Sequence, residues 1–519
     1  MSKEVLVLTT ITPKEKYIQL GLYNIKATLL NDLKINKKLK VDIRTFPFKT
    51  THLIQGQRFP LFSQSEIQSI AQAILQNGTM IVGLSCFMWN MEVTLHIAQQ
   101  IKKLNKSVKI ILGGPEASDN VDKILKNSPF IDIIVRGEGE ETFLELIQYL
   151  VLKKGEIKDI QGISHIKNRK IVHNPERSLM ELSKIPSPYL NEHVDLKVKQ
   201  RFTIETSRGC PFTCTYCLFR LMGANRVRYF PVSKVQEEVS YILDKNPGFL
   251  WINDDNFNLN EARAIQILKT VVLHRKDTTV EIFINAAIRP LSSELIDLIS
   301  RARIRCMIGV QSVNARTLRL INRASNQNVI EANIKNLDKL NIDYCLQFIV
   351  GLPEETYKDI ENDIDWAFKF KPTNVSFDPL MILKNTSLYF ETKKFAIVYS
   401  KIPPYVVYKT GTISRKDMEK LGRLLRTQYL LFEVGLLRQS LRYINDTYHL
   451  SYSTIYKDWM YWNKVFIPNK NYLKALQRDF ISFLIEKYKL QIDKNLIQET
   501  LNIDLHNLLF RQKRIKNDA

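Results

Sequence analysis

The chain has 519 residues, which is too long for one compact domain, so two or three domains are expected. Hydrophobic residues make up 45% and charged residues 25%, a globular composition that excludes a disordered chain. The formal net charge of +22 suits attraction to nucleic acid or an anionic surface, but lysine is spread along the whole sequence. We therefore do not expect a nucleic-acid partner.

The sequence predicts neither a signal peptide nor a membrane span. The N-terminus MSKEVLVLTT has one short apolar run soon followed by charge, which is typical of a buried strand rather than a signal peptide. No apolar stretch reaches the roughly 18 to 20 residues of a membrane-spanning helix. Three of the six cysteines fall within eight residues, and the rest stand alone. This indicates one metal site in a reducing compartment, so a cytoplasmic enzyme is expected.

From residue 1 to about 170, short β-branched runs alternate with amphipathic stretches. The predicted strands are 4–9, 40–44, 80–85, 109–112, 131–135 and 162–166. The predicted helices lie near 17–33, 65–75, 91–104 and 140–152. This α/β alternation predicts a doubly wound, Rossmann-like parallel sheet, whose ligand would bind at the carboxyl ends of the strands.

Residues 171–200 are predicted to be a linker, because Pro186 and Pro188 disfavour helix in the residues before them. A second alternating series covers residues 201–395. Its predicted strands are 202–206, 249–253, 280–285, 304–310, 344–350 and 375–382. Its predicted helices are 232–243, 259–273, 293–301, 329–340 and 357–370. Six such units predict a partial (β/α)6, TIM-like barrel with reactive residues at the carboxyl ends of its strands.

From about residue 396 to 519 the pattern changes to long amphipathic helices without clear strands. This region is basic and aromatic, as in YSTIYKDWMYWNKVF and the tail FRQKRIKNDA. A mainly α-helical C-terminal domain is therefore predicted, and its sequence indicates no chemistry of its own.

The segment ETSRGCPFTCTYC carries Cys210, Cys214 and Cys217 directly after a predicted strand. Soft thiolates suit iron–sulfur clusters and zinc, but a four-ligand site needs a fourth donor. The nearest one, His193, lies back in the linker. The alternatives are a zinc site completed by a distant side chain and three unrelated thiols. We interpret the loop as holding a 4Fe–4S cluster with one iron left for another molecule.

The CxxxCxxC spacing after a first barrel strand resembles the radical S-adenosylmethionine (SAM) superfamily over roughly residues 201–390. In that family the open iron binds the methionine part of SAM, and the reduced cluster cleaves SAM to a deoxyadenosyl radical. The resemblance assigns further SAM contacts to WINDDNF (251–257), FINAAIRP (283–290), GVQSVNARTL (309–318), INR (321–323) and FIVGLPEET (348–356). The implied SAM-binding residues are Asp254, Asp255, Asn285, Arg289, Gln311, Ser312, Arg323 and Gly351.

Several of these residues also have a purely structural interpretation. Arg289 and Arg323 suit helix caps or surface ion pairs, and Gly351 suits a turn before a helix with an acidic first turn. The segment WINDDNF lacks the Gly-Gly-Glu form that is common in the family, so Asp254 and Asp255 are stand-ins for it.

The first domain, placed ahead of this cysteine loop, resembles the cobalamin-binding domain of cobalamin-dependent radical SAM enzymes. Three segments, LSCFMWN (84–90), LGGPEAS (112–118) and VRGEGEET (135–142), end predicted strands. The resemblance implies that Ser85, Gly113, Gly114, Gly137 and Glu138 line the corrinoid and its nucleotide tail. The Asp-x-His-x-x-Gly loop of many cobalamin domains is replaced by TTITPKEKYIQLG, without His.

This departure implies base-off cobalamin without a histidine ligand, and Trp89 is a further neighbour of the cobalt to consider. The other interpretation is that the domain is a scaffold that has lost cobalamin. The segment KIPPYVVYKTGT (401–412) and the helical region after it resemble a C-terminal extension found on some members of the family, which is suited to covering the barrel mouth.

The resemblance implies a methyltransferase that acts on an unactivated carbon with a 4Fe–4S cluster, SAM and methylcobalamin. The alternatives are a radical cyclase, oxidase or rearranging enzyme that holds cobalamin without methyl transfer, and an iron–sulfur protein that binds nucleic acid. A tRNA methylthiotransferase needs a second three-cysteine cluster, and the first domain has only Cys86. Expected partners are a small-molecule or peptide substrate and an electron donor such as flavodoxin or ferredoxin.

Overall fold

The computed structural model describes residues 3–13, 18–48, 50–54, 57–191, 193–194, 201–218, 226–275, 279–287, 289–323, 327–462, 472–489 and 499–504. Parts of the predicted linker and of the C-terminal region, including the tail FRQKRIKNDA, lie outside the described residues. In the described part of the chain, no helix is long and apolar enough to cross a membrane.

The first sheet has seven strands, in the order β2-β1-β5-β6-β7-β8-β9. Its strands are β1 (Glu4–Pro13), β2 (Leu39–Phe48), β5 (Thr79–Ser85), β6 (Lys109–Gly113), β7 (Ile133–Val135), β8 (Ile163–Lys167) and β9 (Lys170–His173), and a separate hairpin joins β3 (Thr50–Ile54) to β4 (Gln57–Leu61). The five neighbouring strands β2, β1, β5, β6 and β7 are parallel to one another. The predicted doubly wound sheet is confirmed for these five strands.

Helices cover both faces of this sheet, which explains why the inner strands β1 and β5 are buried along most of their length. The helices of the first unit are Leu20–Asn31, Leu33–Lys38, Gln64–Leu75, Met91–Leu104, Pro115–Asp119, Val121–Asn127 and Gly139–Leu152. Ile70 and Ile97 pack in the core on one face, whereas Leu29 and Leu146 pack in the core on the other. A capping box between Ser63 and Glu66 begins the third of these helices.

Several details of the first domain differ from the sequence prediction, and the hairpin β3–β4 and the helices Pro115–Asp119 and Val121–Asn127 were not predicted at all. The predicted strand 162–166 forms as β8, but it runs antiparallel to β7 and pairs with β9 in a terminal hairpin. Strand β9 therefore extends into the stretch predicted to be a linker. The single helix predicted near 17–33 is two helices, because the Asp32 side chain accepts hydrogen bonds from Lys34 N and Ile35 N and starts a new helix.

The second sheet has six parallel strands in sequence order. They are β10 (Arg201–Ile204), β13 (Phe249–Ile252), β14 (Glu281–Ala286), β15 (Ile304–Gln311), β16 (Tyr344–Val350) and β17 (Asn374–Pro379); a short antiparallel pair, β11 (Ser207–Arg208) and β12 (Arg228–Tyr229), comes after β10. Within the described residues β10 and β17 are the two edges, so the predicted partial barrel is open. Alternate residues of β15 are buried, as expected for a strand with one face in the core.

Five helices between these strands lie close to their predicted positions: Val232–Asp244, Glu261–Arg275, Ser293–Arg301, Gln327–Lys339 and Tyr357–Ala367. The last of them begins with a capping box between Thr356 and Asp359. A sixth, the short helix Ala315–Leu320, was not predicted.

The C-terminal region is mostly helical, as predicted. Its helices are Arg415–Gln428, Arg438–Tyr448, Tyr452–Trp462 and Tyr472–Tyr488, with a π-helical turn at Tyr429–Glu433; the short helix Ser387–Glu391 precedes this region. The prediction of no strands was wrong, because β18 (Val398–Tyr399) pairs with β19 (Val407–Lys409). Trp459 and Phe480 belong to the same hydrophobic core as the second sheet. The helices are therefore packed onto the barrel and extend its core.

Candidate active site

The cysteine loop is anchored to the end of the next strand by one buried carboxylate. Asp254, which lies just after β13, is 2% exposed. It accepts hydrogen bonds from the backbone N–H and the hydroxyl of Thr206 at 2.6 and 2.5 Å, and from those of Ser207 at 3.1 and 2.7 Å. Four donors satisfy the lone pairs of the carboxylate, so Asp254 fixes the chain three residues before Cys210.

Two cysteine sulfurs have N–H donors directed at them. Asn256 Nδ2 donates to the Cys210 sulfur at 3.4 Å, and Arg323 Nη1 lies 3.8 Å from the Cys214 sulfur. Arg323 also donates to the Gly309 carbonyl. Such donors stabilise thiolate over thiol, and they tune the potential of a cluster bound by those sulfurs. Among the described residues, no three His, Cys, Asp or Glu side chains already converge as metal ligands, the three cysteines included.

The other three cysteines are sequestered. Burial raises the pKa of Cys306 and Cys345 to about 12, and it raises that of Cys86 still further above its ordinary value. Within the motif, by contrast, Cys210 and Cys217 are half-buried and Cys214 alone is buried. The motif therefore carries the cysteines that a metal can reach.

Of the residues predicted around SAM after β13 and β14, Asp255 and Asn285 lie beside Asp254, whereas Arg289 does not. Burial, followed by the nearby Asp254 and Glu205 carboxylates, raises the pKa of Asp255 to about 6, and the Gly209 N–H donates to it. Asn285 Nδ2 donates to the Asp254 carbonyl at 2.8 Å, which keeps it beside the same strand end. Arg289 is not drawn into this cluster, since it is exposed and donates to the Leu259 carbonyl at 2.8 Å.

At the end of β15 the backbone is irregular. Gln311 has φ +74, and the strand register shifts between Gly309 and Gln311. A Cβ on Gly309 would lie 2.5 Å from Gln311 Nε2 and 3.3 Å from Arg323 Nη2. A positive φ on a non-glycine residue, held by close packing, is common at ligand sites. Gln311 and Arg323 therefore meet at one irregular strand end beside the cysteine loop.

Two further predicted residues have structural partners. Ser312 is fully buried, and its hydroxyl accepts from Asn314 N at 3.2 Å and lies 3.4 Å from Asp363 Oδ1. Gly351 has φ +92, and its N–H donates to Glu355 Oε2 at 2.8 Å. Both residues shape the turns after their strands.

In the first sheet Ser85 ends β5, Gly113 and Gly114 lie at the carboxyl end of β6, and Gly137 follows β7. Gly114 has φ +98, and a Cβ there would lie 2.6 Å from the Cys86 carbonyl. An added Cβ at Gly137 would meet nothing within 4 Å, and at Gly113 it would meet only Val135, at 3.9 Å or more. The Ser85 carbonyl accepts from Asn90 Nδ2 at 3.2 Å. Gly114 thus lets the loops after β5 and β6 pack directly against each other. Gly113 and Gly137 have open space where a side chain would lie.

Trp89 lies in the loop after β5 and is 38% exposed. Its ring stacks on that of Phe87, with the centroids 4.5 Å apart and the planes 6° from parallel. The pair offers a flat apolar surface on the loop after β5.

Glu138 connects the two sheets. Its carboxylate accepts from Arg228 Nη2 and Nη1 at 2.5 and 3.0 Å, and from Arg208 Nη1 at 3.3 Å. Burial alone raises the pKa of Glu138, but hydrogen bonding and charge from Arg228 and Arg208 hold it below its ordinary value. The next acidic residue, Glu140, accepts from Arg208 Nη2 at 2.6 Å. A residue predicted to touch the corrinoid therefore also binds the cysteine-loop domain.

The C-terminal region contacts the glycine loop after β6. Tyr405 donates its hydroxyl to Glu116, and Lys384 donates to the Asp119 carbonyl at 2.7 Å. The backbone N–H of Leu388 donates to the Thr215 carbonyl within the cysteine loop at 2.9 Å. Lys384 and Leu388, near the end of the predicted barrel range, therefore contact both loop regions, and Tyr405 is the contact that comes from the segment 401–412. The expected cover over the barrel mouth stays a prediction.

Sequence reasoning missed Asn256, Arg208, Arg228, Glu140 and Tyr405 as residues of this site. Asn256 lies within WINDDNF and Arg208 within ETSRGCPFTCTYC, so their positions were a usable signal. Nothing in the sequence spacing marks Arg228 or Tyr405, because their partners lie 90 and 289 residues away.

Comparisons with known proteins agree with this geometry. The sequence profile of the Radical SAM superfamily matches residues 204–367, and that of the B12 binding domain matches residues 57–147. The chain is 29% identical over 388 residues to an uncharacterized methyltransferase of Pyrococcus horikoshii, a match that covers 70% of this chain and 80% of that one. It is 25% identical over 343 residues to the cobalamin-dependent radical SAM methyltransferase TokK of Streptomyces tokunonensis, covering 62% of this chain and 50% of TokK.

The fold is similar to that of the cobalamin-dependent S-adenosylmethionine radical enzyme OxsB, with a TM-score of 0.65 and 16% identity over 100% of this chain and 81% of OxsB. The two sheets, the three-cysteine loop and the matched domains define a radical SAM enzyme with a B12-binding domain. The chain thus carries a B12-binding domain followed by a radical SAM domain, and it is similar to cobalamin-dependent radical SAM enzymes. The family implies a 4Fe–4S cluster, SAM and cobalamin as its cofactors.

The residues present fit these three groups. Three thiols on one loop, two of them with N–H donors at sulfur, suit a cluster. The open space at Gly113 and Gly137, together with the stacked rings of Trp89 and Phe87 on the loop after β5, suits a large flat ligand. The irregular backbone at Gln311, next to the half-buried Arg323, suits a carboxylate-bearing ligand.

Proposed function

We propose that this enzyme is a methyltransferase that adds a methyl group to an unactivated carbon. The observation that carries the proposal is the direct contact between the two loop systems: Arg208, two residues before Cys210, binds Glu138 and Glu140 of the glycine-loop segment. Methyl transfer from cobalamin to a substrate radical needs both cofactors beside one cavity. Relatives that are named methyltransferases support the same assignment.

In this proposal Cys210, Cys214 and Cys217 hold the cluster, and the residues that surround SAM are Asp255, Asn285, Gln311, Arg323 and Gly351. Asp254, Ser312 and Arg289 act through the loops that they stabilise. When bound, the cluster and SAM supply hydrogen-atom abstraction, and methylcobalamin supplies the methyl group. The chain itself positions these groups, excludes water and donates hydrogen bonds to sulfur.

For cobalamin, we propose base-off binding, because the loop after β1 offers no histidine. The residues that would line the ligand are Ser85, Gly113, Gly114, Gly137 and Glu138. The stacked pair of Trp89 and Phe87 would supply an apolar surface for the bound corrinoid. Cobalamin held by these residues would supply the methyl group.

The substrate in this proposal is a small molecule or a peptide. The electron that reduces the cluster comes from a reduced flavodoxin or ferredoxin. Because these donors are cytoplasmic, we expect the enzyme in the cytoplasm.

The test is anaerobic reconstitution of the full chain with iron, sulfide and hydroxocobalamin, followed by addition of SAM and a strong reductant. Deoxyadenosine reports cluster-dependent SAM cleavage, and S-adenosylhomocysteine together with the methylcobalamin spectrum reports methylation of cobalt. Cys214→Ser should abolish deoxyadenosine formation, because the cluster that cleaves SAM loses one of its three thiolates.

Cys345→Ala is the matched control, since Cys345 is buried in β16 and should leave both products unchanged. Failure of the wild-type chain to form deoxyadenosine, or a spectroscopic count of four protein donors at the metal, would contradict the proposal. Failure to bind cobalamin would leave a radical SAM enzyme without methyl transfer.

A further inference from the structure

Two arginines face each other beside the cysteine loop. Arg208 of β11 is directly opposite Arg228 of β12 in the antiparallel pair. Their side chains are 16% and 19% exposed. Like charges directly opposite in such a pair destabilise it unless they are neutralised. The short β11–β12 pair therefore needs nearby carboxylates to form.

Most of the negative charge that neutralises the two arginines comes from the first domain, at the start of the helix Gly139–Leu152. Glu138 Oε1 accepts from both arginines, and Glu138 Oε2 accepts a second hydrogen bond from Arg228. Glu140, 5% exposed, accepts from Arg208. Within its own domain Arg208 also pairs with Glu205, at 2.9 Å. Two carboxylates of the first unit are thus required to satisfy guanidinium groups of the second.

The same segment continues into the glycine loops. Gly137 N, next to Glu138, lies 3.3 Å from the Ser118 hydroxyl, and Ser118 in turn donates to the Gly114 carbonyl at 3.0 Å. Cys210 lies two residues after Arg208. One chain of hydrogen bonds and ion pairs therefore links the loop after β6 to the cysteine motif.

We propose that Glu138, Glu140, Arg208 and Arg228 form a brace that sets the separation of the cobalamin and cluster sites. These are positioning residues, and the inference rests on the proposed function only in naming the two cofactors. Arginine suits the role because its planar fork binds several carboxylate oxygens in fixed geometry, which lysine does not do. Without the brace, each site persists but the first unit shifts relative to the cysteine loop. A displacement of about 1 Å between reacting groups can cost on the order of 100-fold in rate.

The test compares Glu140→Gln and Arg228→Lys with the wild-type full chain. Glu140→Gln keeps the shape and an acceptor oxygen but removes the charge, and Arg228→Lys keeps the charge but removes the fork. Asp132→Asn is the matched control, because Asp132 pairs with Lys102 at 2.8 Å with similar exposure but lies wholly within the first unit. Iron, sulfide and cobalamin contents are measured first for every protein.

The first measurement is pulsed EPR on reconstituted, reduced protein that contains a paramagnetic cluster and cob(II)alamin. The wild type and Asp132→Asn should give one narrow distribution of the distance between the two spins. Both brace variants should give a broader or shifted distribution at unchanged cofactor content. An unchanged narrow distribution in both variants would overturn the brace.

The second measurement needs no cofactor. Amide hydrogen exchange of the β11–β12 pair, including Phe230, should become about tenfold faster in the brace variants and stay unchanged in Asp132→Asn. Equal exchange in all four proteins would overturn the brace. Absence of cob(II)alamin in the wild type would instead contradict the proposed function, while the exchange result would still decide the brace.

Discussion

The Asp254 carboxylate accepts a hydrogen bond from the Ser207 hydroxyl at 2.7 Å. This contact joins the end of β13 to the residue that begins β11, so the start of the cysteine loop is fixed by the neighbouring strand. A carboxylate at this position has its oxygens saturated by the loop that it holds. We therefore expect Asp254 to affect SAM cleavage by positioning the cysteine loop rather than by binding SAM.

Asp254→Asn should destabilise the chain and lower cluster loading together. The asparagine amide presents N–H groups toward buried donors, and each unpaired buried donor costs about 1–3 kcal/mol. Denaturant unfolding of the cofactor-free chain measures the loss, and iron and sulfide analysis measures the loading. Asp297→Asn, which breaks a surface pair with Arg301, should change stability by less than about 0.5 kcal/mol. Normal iron content in Asp254→Asn would contradict this role.

Asn256→Leu should make the cluster harder to reduce. The Asn256 amide donates to the Cys210 sulfur, and such a donor stabilises the more negative, reduced cluster. Leucine has a similar shape but no donor, so the midpoint potential should become more negative in an EPR-monitored redox titration. Asn333→Leu, a replacement of an amide that binds the Arg289 carbonyl, should leave the potential unchanged. An equal potential in both variants would show that the contact does not tune the cluster.

Gly114→Ala should weaken cobalamin binding as well as stability. The left-handed backbone costs an alanine about 1–2 kcal/mol, and here the Cβ also collides with the Cys86 carbonyl. Gly155→Ala separates the two effects, since Gly155 has φ +78 but nothing within 4 Å of an added Cβ. Unfolding experiments and spectroscopic cobalamin titrations should therefore show a larger loss of stability at Gly114, and lost affinity there alone. Similar losses at both positions would argue against close packing of the two loops.

Stability should fall between pH 4.5 and 6 because of Glu116. Burial raises the pKa of Glu116 from 4.5 to about 6, although the Tyr405 hydrogen bond opposes the rise. The folded chain therefore binds this proton more tightly than the unfolded chain, and the resulting stability, present below pH 4.5, is lost as the pH rises through 6.

Glu116→Gln removes that titration. The free energy of unfolding of Glu116→Gln, relative to wild type, should rise across this pH range by at most about 2 kcal/mol. Denaturant unfolding at several pH values measures the difference. Glu181→Gln, which alters an exposed carboxylate, should give a flat difference. A flat difference for Glu116→Gln as well would contradict the raised pKa.

Many of the helices and strands could be predicted from local sequence patterns. The helices Met91–Leu104 and Ser293–Arg301 and the strand Tyr344–Val350 coincide with their predicted bounds, because each has a clear apolar period and a clear terminus. The strand β8 was predicted, but its antiparallel direction was not, since a short buried strand has the same sequence pattern in either direction. The strands β18 and β19 were missed because two or three residues give no period.

By itself the sequence determined the two sheets and the three-cysteine loop, because hydrophobic period and cysteine spacing are local properties of the chain. Only the tertiary structure decided that Asn256 faces the Cys210 sulfur, that the oxygens of Asp254 are occupied, and that Glu138 reaches Arg228. These contacts join side chains up to 90 residues apart. Whether such partners meet depends on how strands are ordered and how two packed units dock, and neither is written in the spacing of residues along the chain.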